Sequence, residues 1–450
     1  MFRCAIVAAL ALIAAPAGQA PAPSGVERIE WKPVDAEALR TLQAYVRINT
    51  SNPPGDVTKA ADFLSGILKN EGIAVTRFES GPGRSILLAR LTGDGSGGRA
   101  ILLESHMDVV PTDASRWSHD PFGAKMTDGR MWGRGTIDMK GIGVSYLYAF
   151  IMLHRRHVAL TRDILLLLVP DEEIGGTGGA EWMRKNHYAD LDPEYVIDEG
   201  GFGSRDMFTP GKLVFGISVA EKRIMWLRLR AEGIAGHGSQ PIAENANEHL
   251  IRALTRLLDS PIAAAPFPVV ETMKQRIGAP LTKNKFMNAI QQSTISLTSL
   301  RSGVGDPPRV NVIPSVAEAT IDCRVLPGTS PAEWLKLIES RLADPTISIE
   351  VINQGEDPIV STQDTKLYRA LERTLKRHYP DAIVTPMTVP YGTDGNGYRA
   401  HGVTNYGFFP GIVPAASILS MHGDSEFITL DAIGPAIQIM YEALVETAGH

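Results

Sequence analysis

Short apolar segments that end in polar clusters recur along this chain, and they constrain its fold more than any other feature. In ILLESHMDVVP (101–111), His106 and Asp108 follow directly on an apolar run. Similar runs are SILLARL (85–91), DILLLLVP (163–170) and EYVID (194–198), and helical patterns separate several of them. Such alternation indicates an α/β fold with a mostly parallel sheet covered on both faces. Sites in these sheets form at the carboxyl ends of strands, so we expect the polar clusters to meet there.

A second pattern occupies the region from about residue 222 to residue 353. IMWLRLRAEG, STISLTSLRSG, SVAEATIDCRVLP and TISIEVIN alternate apolar and polar residues, as half-buried antiparallel strands do. Helices are predicted over 247–258 and 331–342, and a proline-rich loop near 261–288. Strand, helix, two strands, helix, strand indicates an α+β unit of the ferredoxin-like kind. We therefore predict an α/β domain over 25–221 and 354–450, with an α+β domain inserted at 222–353.

The first twenty residues have the pattern of a cleavable export signal. Arg3 precedes an apolar core at 5–15, which is shorter than the ~20 residues that span a bilayer. We expect a periplasmic or secreted protein without membrane association, a retained anchor being the alternative. Cys323 then remains alone, and strand alternation places it in the core with Ala319 and Ile321. A net charge of −6 does not indicate a nucleic-acid-binding protein, which would typically carry an excess of basic residues.

Acidic and imidazole side chains follow predicted strands or begin the next helix at several places. They are His106 with Asp108, Asp138, the run Asp171-Glu172-Glu173, Asp198 with Glu199, and His422. Each cluster alone is more typical of a turn or of a surface histidine. Brought together they would repel one another unless a cation neutralised them. Imidazole and carboxylate donors without a thiolate suit zinc, cobalt or manganese.

The motifs around these residues resemble those of the M20 metallopeptidase family, which includes glutamate carboxypeptidases, aminoacylase-1, succinyl-diaminopimelate desuccinylase and bacterial Xaa-His dipeptidases. In chain order they are SHMDVVP, WGRGTIDMKG, PDEEIGGTGG, VIDEGG, GHGSQP, NVIPSVAEATIDCRVLPG and MHGDSE. VIDEGG and the AEK at 220–222 are most similar to the branch of Gly-Xaa carboxypeptidases and secreted N-acyl amino acid hydrolases. The resemblance implies a zinc-peptidase-like catalytic domain and a lid domain through which two chains form a homodimer.

The resemblance also implies two divalent metal ions, zinc first and cobalt or manganese as alternatives. The implied ligands are His106 and Glu199 for one ion, Glu173 and His422 for the other, and Asp138 as a bridge. Asp198 stays open as an alternative to Glu199. Two ions would polarise an amide carbonyl and lower the pKa of a bound water. Glu172 is then implied as general base, with Asp108 orienting the ring of His106.

Further residues are implied to contact the substrate. His237 would stabilise an oxyanion in the site of a neighbouring subunit, unless it is simply a turn residue. Asn311 and Arg324 resemble residues that hold a substrate carboxylate, an ordinary surface arginine being the alternative at 324.

The sequence departs from the family late in the chain, in YGTDGNGYRAHG (391–402). Thr393 and Asp394 match the family pattern, but Asn396 stands where relatives often carry arginine. Whether Arg399 compensates is left open. The leading hypothesis is an exported dinuclear-metal hydrolase that cleaves peptides from a free carboxy-terminal side by means of metal-activated water. An aminoacylase acting on N-acyl amino acids and a non-catalytic exported binding protein are the alternatives.

Overall fold

The computed structural model describes residues 29–450, so the predicted signal lies outside the described residues. The chain up to residue 221 forms the elements α1 (Trp31–Val46), α2 (Thr58–Asn70), β1 (Val75–Glu79), β2 (Ser85–Leu91), β3 (Ala100–His106), β4 (Lys125–Thr127), β5 (Arg130–Trp132), α3 (Lys140–Arg155), β6 (Ile164–Val169), α4 (Ala180–Asn186), α5 (Tyr188–Leu191), β7 (Pro193–Ser204) and β8 (Val214–Glu221). The turn-rich segment 47–57 separates α1 from α2.

The middle of the chain forms a second group of elements. They are β9 (Arg223–Glu232), β10 (Gly236–His237), α6 (Ala246–Leu258), α7 (Pro268–Ile277), α8 (Lys285–Ala289), β11 (Thr294–Ser302), β12 (Val312–Ile313), β13 (Val316–Val325), α9 (Pro331–Leu342) and β14 (Ile347–Asn353). The remainder forms α10 (Lys366–His378), β15 (Ile383–Val389), α11 (Gly395–Ala400), β16 (Thr404–Ile412), α12 (Ala415–Ile418), β17 (Phe427–Thr429) and α13 (Ile433–Ala448). No helix within 29–450 is long and apolar enough to cross a membrane.

The first and last parts of the chain share an eight-stranded sheet in the order β1-β2-β6-β3-β7-β16-β8-β15. Its four inner strands, β6, β3, β7 and β16, run parallel. On one face α3 packs with α1 and α13, and its residues 140–153 are all buried. Gly143 permits this close packing, because a Cβ there would lie 2.4 Å from Ser105 Oγ on β3. The predicted α/β class with a central, mostly parallel sheet is confirmed.

The middle of the chain builds an antiparallel sheet of its own in the order β11-β13-β9-β14. Helices α6 and α9 cover it, which gives the strand and helix order of the ferredoxin-like motif. Burial alternates along β9 and β13, as their polar and apolar residues alternate in sequence. Cys323 is fully buried in this second core together with Ala319 and Ile321, as predicted.

The region near 261–288 differs from the predicted loop, because it contains the helices α7 and α8. Pro268 occupies the first turn of α7, where its missing N–H costs nothing. Val269, Met273 and Ile277 recur at helical spacing and are buried in the core of the eight-stranded sheet. This part of the middle segment therefore packs against the α/β core and not against the antiparallel sheet.

Candidate metal centre

The register of the parallel strands brings the polar clusters to one edge of the large sheet. His106, the last residue of β3, pairs with Val169 at the end of β6. The turn Glu172–Ile174 follows β6 and carries two acidic side chains beside His106. Leu103 pairs with Ile197 of β7, so the next two residues, Asp198 and Glu199, reach the same edge. As predicted, the carboxyl ends of three strands share this edge.

Five predicted ligands converge on a common point. His106 Nε2 lies 3.2 Å from Asp138 Oδ1 and 3.6 Å from Glu199 Oε1. On the other side, His422 Nε2 lies 3.1 Å from Asp138 Oδ2 and 3.1 Å from Glu173 Oε2. Each oxygen of Asp138 thus faces a different imidazole, which is how a carboxylate shared by two cation positions would be placed.

The chemistry of these donors fits divalent cations. They offer imidazole nitrogen and carboxylate oxygen, and two overlapping triads within 29–450 bring their donor atoms within 4.8 Å of one another: His106–Asp138–Glu173 and His106–Glu172–Glu199. Oxygen Oε1 of Glu173 is buried and lacks a hydrogen-bond partner among the described residues. A buried carboxylate oxygen without a partner costs free energy unless a cation or a hydrogen-bond donor binds it. The second triad shows that Glu172 also lies within reach of a bound cation.

The crowding of charges shifts the pKa values of several of these donors. Burial and the charge of the neighbouring Asp138 raise the pKa of Glu199 to about 8. Burial and the charge of Glu199 raise the pKa of Glu172 well above its usual range. Burial opposes protonation of His422, but hydrogen bonds to Asp138 and Glu173 raise its pKa to about 11. A cation bound at this site would favour the ionised forms of Glu172 and Glu199.

Supporting residues hold the ligands in place. His106 Nδ1 lies 2.9 Å from the carbonyl oxygen of Asp108 and 3.6 Å from its carboxylate. The backbone of Asp108 is thus the nearer partner, and its carboxylate accepts the N–H of Glu172 at 3.2 Å. Glu426 accepts the N–H groups of Ile137 and Asp138 at 3.0 and 3.3 Å. Its other oxygen lies 2.6 Å from the buried guanidinium of Arg134.

The choice between Asp198 and Glu199 is clear from their contacts. Asp198 Oδ2 accepts hydrogen bonds from Thr393 Oγ1 at 2.6 Å and from the N–H of Gly395 at 2.9 Å. Its carboxylate therefore anchors the 393–395 loop. Glu199 faces the cation donors, so the geometry favours Glu199 as the ligand.

Arg399 does not compensate for Asn396. Its side chain is 1% exposed and forms an ion pair with the equally buried Glu221. The same guanidinium donates to Ser361 Oγ at 3.2 Å and to the carbonyl of Asn405 at 3.3 Å. All of these partners are internal, so Arg399 is a structural residue behind the loop.

A cavity of about 780 Å³ opens over the metal donors. It is lined by most of the predicted site residues: Asp138, Glu172, Glu173, Glu199, Arg324, Thr393, Asp394 and His422. The guanidinium of Arg324 is already held by Asp322 through two bonds of 2.8 and 3.0 Å. His237 and Asn311 lie outside this cavity, on and beside the paired strands β10 and β12. The chain thus does not bring these two residues to its own site.

Several lining residues were not predicted. Five of them are apolar or aromatic: Phe286, Tyr391, Ile418, Leu419 and Met421. Arg184 also lines the cavity, and its guanidinium donates to the carbonyl of Asp394 at 3.3 Å. Lys222 ties α8 to the end of β8 by donating to the carbonyls of Ala289 and Gln292, both at 2.9 Å. In the sequence only the AEK segment at 220–222 pointed to Lys222, and none of the motifs included Arg184.

Comparison with known proteins agrees with the geometry. The family model Peptidase family M20/M25/M40 matches residues 102–446. The chain is 30% identical to aminoacylase-1 of Sus scrofa, over 83% of this chain and 86% of that protein. It is 29% identical to human N-fatty-acyl-amino acid synthase/hydrolase PM20D1, over 76% and 73%. The M20 family metallo-carboxypeptidase Sso-CP2 of Sulfolobus solfataricus superimposes with a TM-score of 0.70 at 19% identity, covering 91% of this chain and 99% of that one.

Proposed function

The chain belongs to peptidase family M20/M25/M40, and on that premise we propose that it hydrolyses an amide bond adjacent to a free carboxylate with two divalent metal ions, zinc first. Family membership makes it a hydrolase acting on C–N bonds, which sets aside the non-catalytic binding protein. The observation that carries the proposal is the pair of donor sets on either side of Asp138 at the floor of one cavity.

The site residues have distinct tasks in this reaction. His106 with Glu199, and Glu173 with His422, would hold the two cations, with Asp138 between them. When bound, such cations polarise the amide carbonyl and make water a better nucleophile at neutral pH. Glu172 takes a proton from the attacking water and delivers it to the leaving nitrogen, so one amide and one water yield a carboxylate and an amine. Glu172 suits this task, because its carboxylate lines the cavity and lies beside the donor atoms of His106 and Glu199.

The cavity supports an amino acid substrate with an apolar group on one side. Phe286, Leu419 and Met421 are apolar lining residues. Arg184 would offer positive charge for a carboxylate, and Arg324 could do so while it keeps its bonds to Asp322. The relatives whose names specify acylated amino acids match at 29–30% identity. We therefore place N-acyl amino acids ahead of peptides, which the sequence alone had favoured. Dipeptides remain the second candidate, since Sso-CP2 is a metallo-carboxypeptidase of the same fold.

A matched substrate panel tests the proposal. Zinc- or cobalt-loaded protein is assayed on N-acetyl, N-lauroyl and glycyl derivatives of the same amino acids, each as a free acid and as an amide. We expect hydrolysis of the free acids, with acyl derivatives faster than glycyl ones. Glu172→Gln should lower kcat by about 10²–10⁴-fold while bound metal persists. Glu339→Gln on α9, an exposed residue that does not line the cavity, is the control and should leave kcat unchanged. Inactivity on the whole panel would refute the proposed function.

Export and dimerisation extend the proposal beyond the described site. We propose that residues 1–20 direct export and are removed, which N-terminal sequencing of protein from the periplasm or medium would check. We also propose a homodimer, in which His237 and Asn311 of one chain serve the site of the other. Sedimentation analysis tests the dimer. Mixing His237→Ala with Glu172→Gln chains tests the sharing, because mixed dimers would regain one complete site.

A further inference from the structure

The segment Asn52-Pro53-Pro54-Gly55, which separates α1 from α2, reaches the candidate metal centre from a part of the chain that has no role in it so far. Asn52 is only 3% exposed. Its N–H donates to the carbonyl of Val109 at 2.8 Å, which fixes the segment beside the end of β3. A buried amide side chain at this position must find hydrogen-bond partners inside the protein.

Two carboxylates of the site provide those partners. Asn52 Nδ2 donates to Asp108 Oδ2 at 2.9 Å and to Asp171 Oδ1 at 3.1 Å. A side-chain amide nitrogen carries two hydrogens, so each carboxylate receives one. Because both partners are acceptors, the nitrogen and not the oxygen of the amide must face them.

The two carboxylates flank the backbone of Glu172. Asp108 Oδ1 accepts the N–H of Glu172 at 3.2 Å. Asp171 precedes Glu172, and its carbonyl accepts the N–H groups of Ile174 and Gly176, which closes the turn. Asn52 therefore contacts the carboxylate that accepts the N–H of Glu172 and the side chain of Asp171, whose backbone closes the turn, although it does not contact Glu172 itself.

A neutral donor suits this position, because Arg84 already pairs with the other carboxylate oxygen of Asp171 at 2.7 Å. Two carboxylates bonded to one nitrogen lie close enough to repel each other, and a donor placed between them offsets that repulsion. An aspartate of the same shape would add a third negative group and remove both donors. Gly55 leaves room for this amide, because a Cβ at position 55 would lie 2.7 Å from Asn52 Oδ1.

We propose that Asn52 is a positioning residue for the general base, holding the Glu172 turn through Asp108 and Asp171. This role rests on the proposed function, in which Glu172 transfers the proton. It differs from the role of the metal ligands, because the side chain of Asn52 bonds to Asp108 and Asp171 and, within 29–450, to none of the five donors His106, Asp138, Glu173, Glu199 and His422.

The test compares Asn52→Leu, Asn52→Asp and Asn52→Ser with Asn49→Ala as a matched control in the same loop. Asn49 is exposed, and among the described residues its side chain accepts hydrogen bonds only from Ser51. Each protein is loaded with cobalt and assayed for kcat, KM, bound metal, the cobalt absorption spectrum and the melting temperature. For Asn52→Leu we expect kcat to fall by about 10–100-fold, the range for residues that orient site groups. KM should stay within about twofold, with bound metal and spectrum unchanged.

The other variants sharpen the result. Asn52→Asp should be the least active, and Asn52→Ser, which keeps one donor, should lie between Leu and the parent. If Asn52→Leu does not fold, the kcat and bound metal of Asn52→Ser test the proposal instead. A kcat within twofold of the parent in a folded variant, or loss of metal as the main defect, would overturn the proposal while the parent's activity still supports the proposed function. A parent inactive on the whole panel would overturn both.

Discussion

Replacing Arg399 with methionine separates a structural role of this residue from a role in substrate binding. Arg399 and Glu221 are each 1% exposed and paired. Glu221 Oε2 also accepts the N–H of Thr393 at 2.7 Å. Arg399→Met would leave the Glu221 carboxylate buried without its cation, and breaking a buried pair from one side costs about 3–5 kcal/mol. The free energy of unfolding should fall by that amount.

The loss should depend on pH in a definite direction. Burial already raises the pKa of Glu221 above its ordinary value, and Arg399 opposes that rise. Without Arg399, the folded state holds the proton on Glu221 to a higher pH than the unfolded state, whose Glu pKa is ~4.3. The folded protein then binds more protons above that pH, so its stability decreases as pH rises. We expect a larger deficit at pH 8 than at pH 5.5.

Urea unfolding followed by tryptophan fluorescence measures this deficit in the parent, Arg399→Met and the double variant Arg399→Met/Glu221→Gln. The double variant removes both charges and should recover most of the stability, with little extra dependence on pH. The structural interpretation is refuted if Arg399→Met unfolds at the urea midpoint of the parent while its KM for free-acid substrates rises tenfold. That outcome would assign Arg399 to the substrate carboxylate.

Three further predictions concern the supports of the site and the cysteine. His106→Ala should lose bound metal. Asp108→Ala should retain most of its metal but have a lower kcat, because the Asp108 carboxylate holds the Glu172 turn. Metal analysis and steady-state kinetics of both variants would distinguish the two roles. Glu426→Gln should weaken metal binding by about 10–100-fold, since Glu426 orients the backbone at Asp138, and equilibrium dialysis against zinc would measure it. Burial raises the pKa of Cys323 to about 11, so native protein should resist iodoacetamide at this residue until urea unfolds it, as peptide mass mapping would show.

The convergence of the metal donors could be predicted because it depends on a general property of parallel sheets. His106, Glu173 and Glu199 each follow an apolar strand, and parallel strands place their carboxyl ends at a common edge. Apolar and polar residues alternate along β13, which places Cys323 in the core and Arg324 at the cavity. This signal is equally local, because it depends only on neighbouring residues of one strand. Helix positions followed from apolar periodicity where prolines were few.

The contacts that sequence reasoning missed join residues far apart in the chain. Asn52 meets Asp171 across 119 positions and Arg399 meets Glu221 across 178. Neither pair has a local pattern, because each depends on which strands become neighbours and on their register. The helix α7 was missed for another reason: the prolines in and around it suggested a loop, although its apolar residues recur at helical spacing.

The large sheet combines strands from the first and last parts of the chain, and this bears on the order in which the molecule can fold. β16 pairs with β7 and β8, yet more than 180 residues separate it from both along the chain. The β9–β14 sheet, by contrast, uses one continuous stretch of chain and can form while the later residues are still being synthesised. His422 follows β16, so a nascent chain holds four of the five donors before the last one exists. A complete binding site for metal thus forms only when the sheet itself can close.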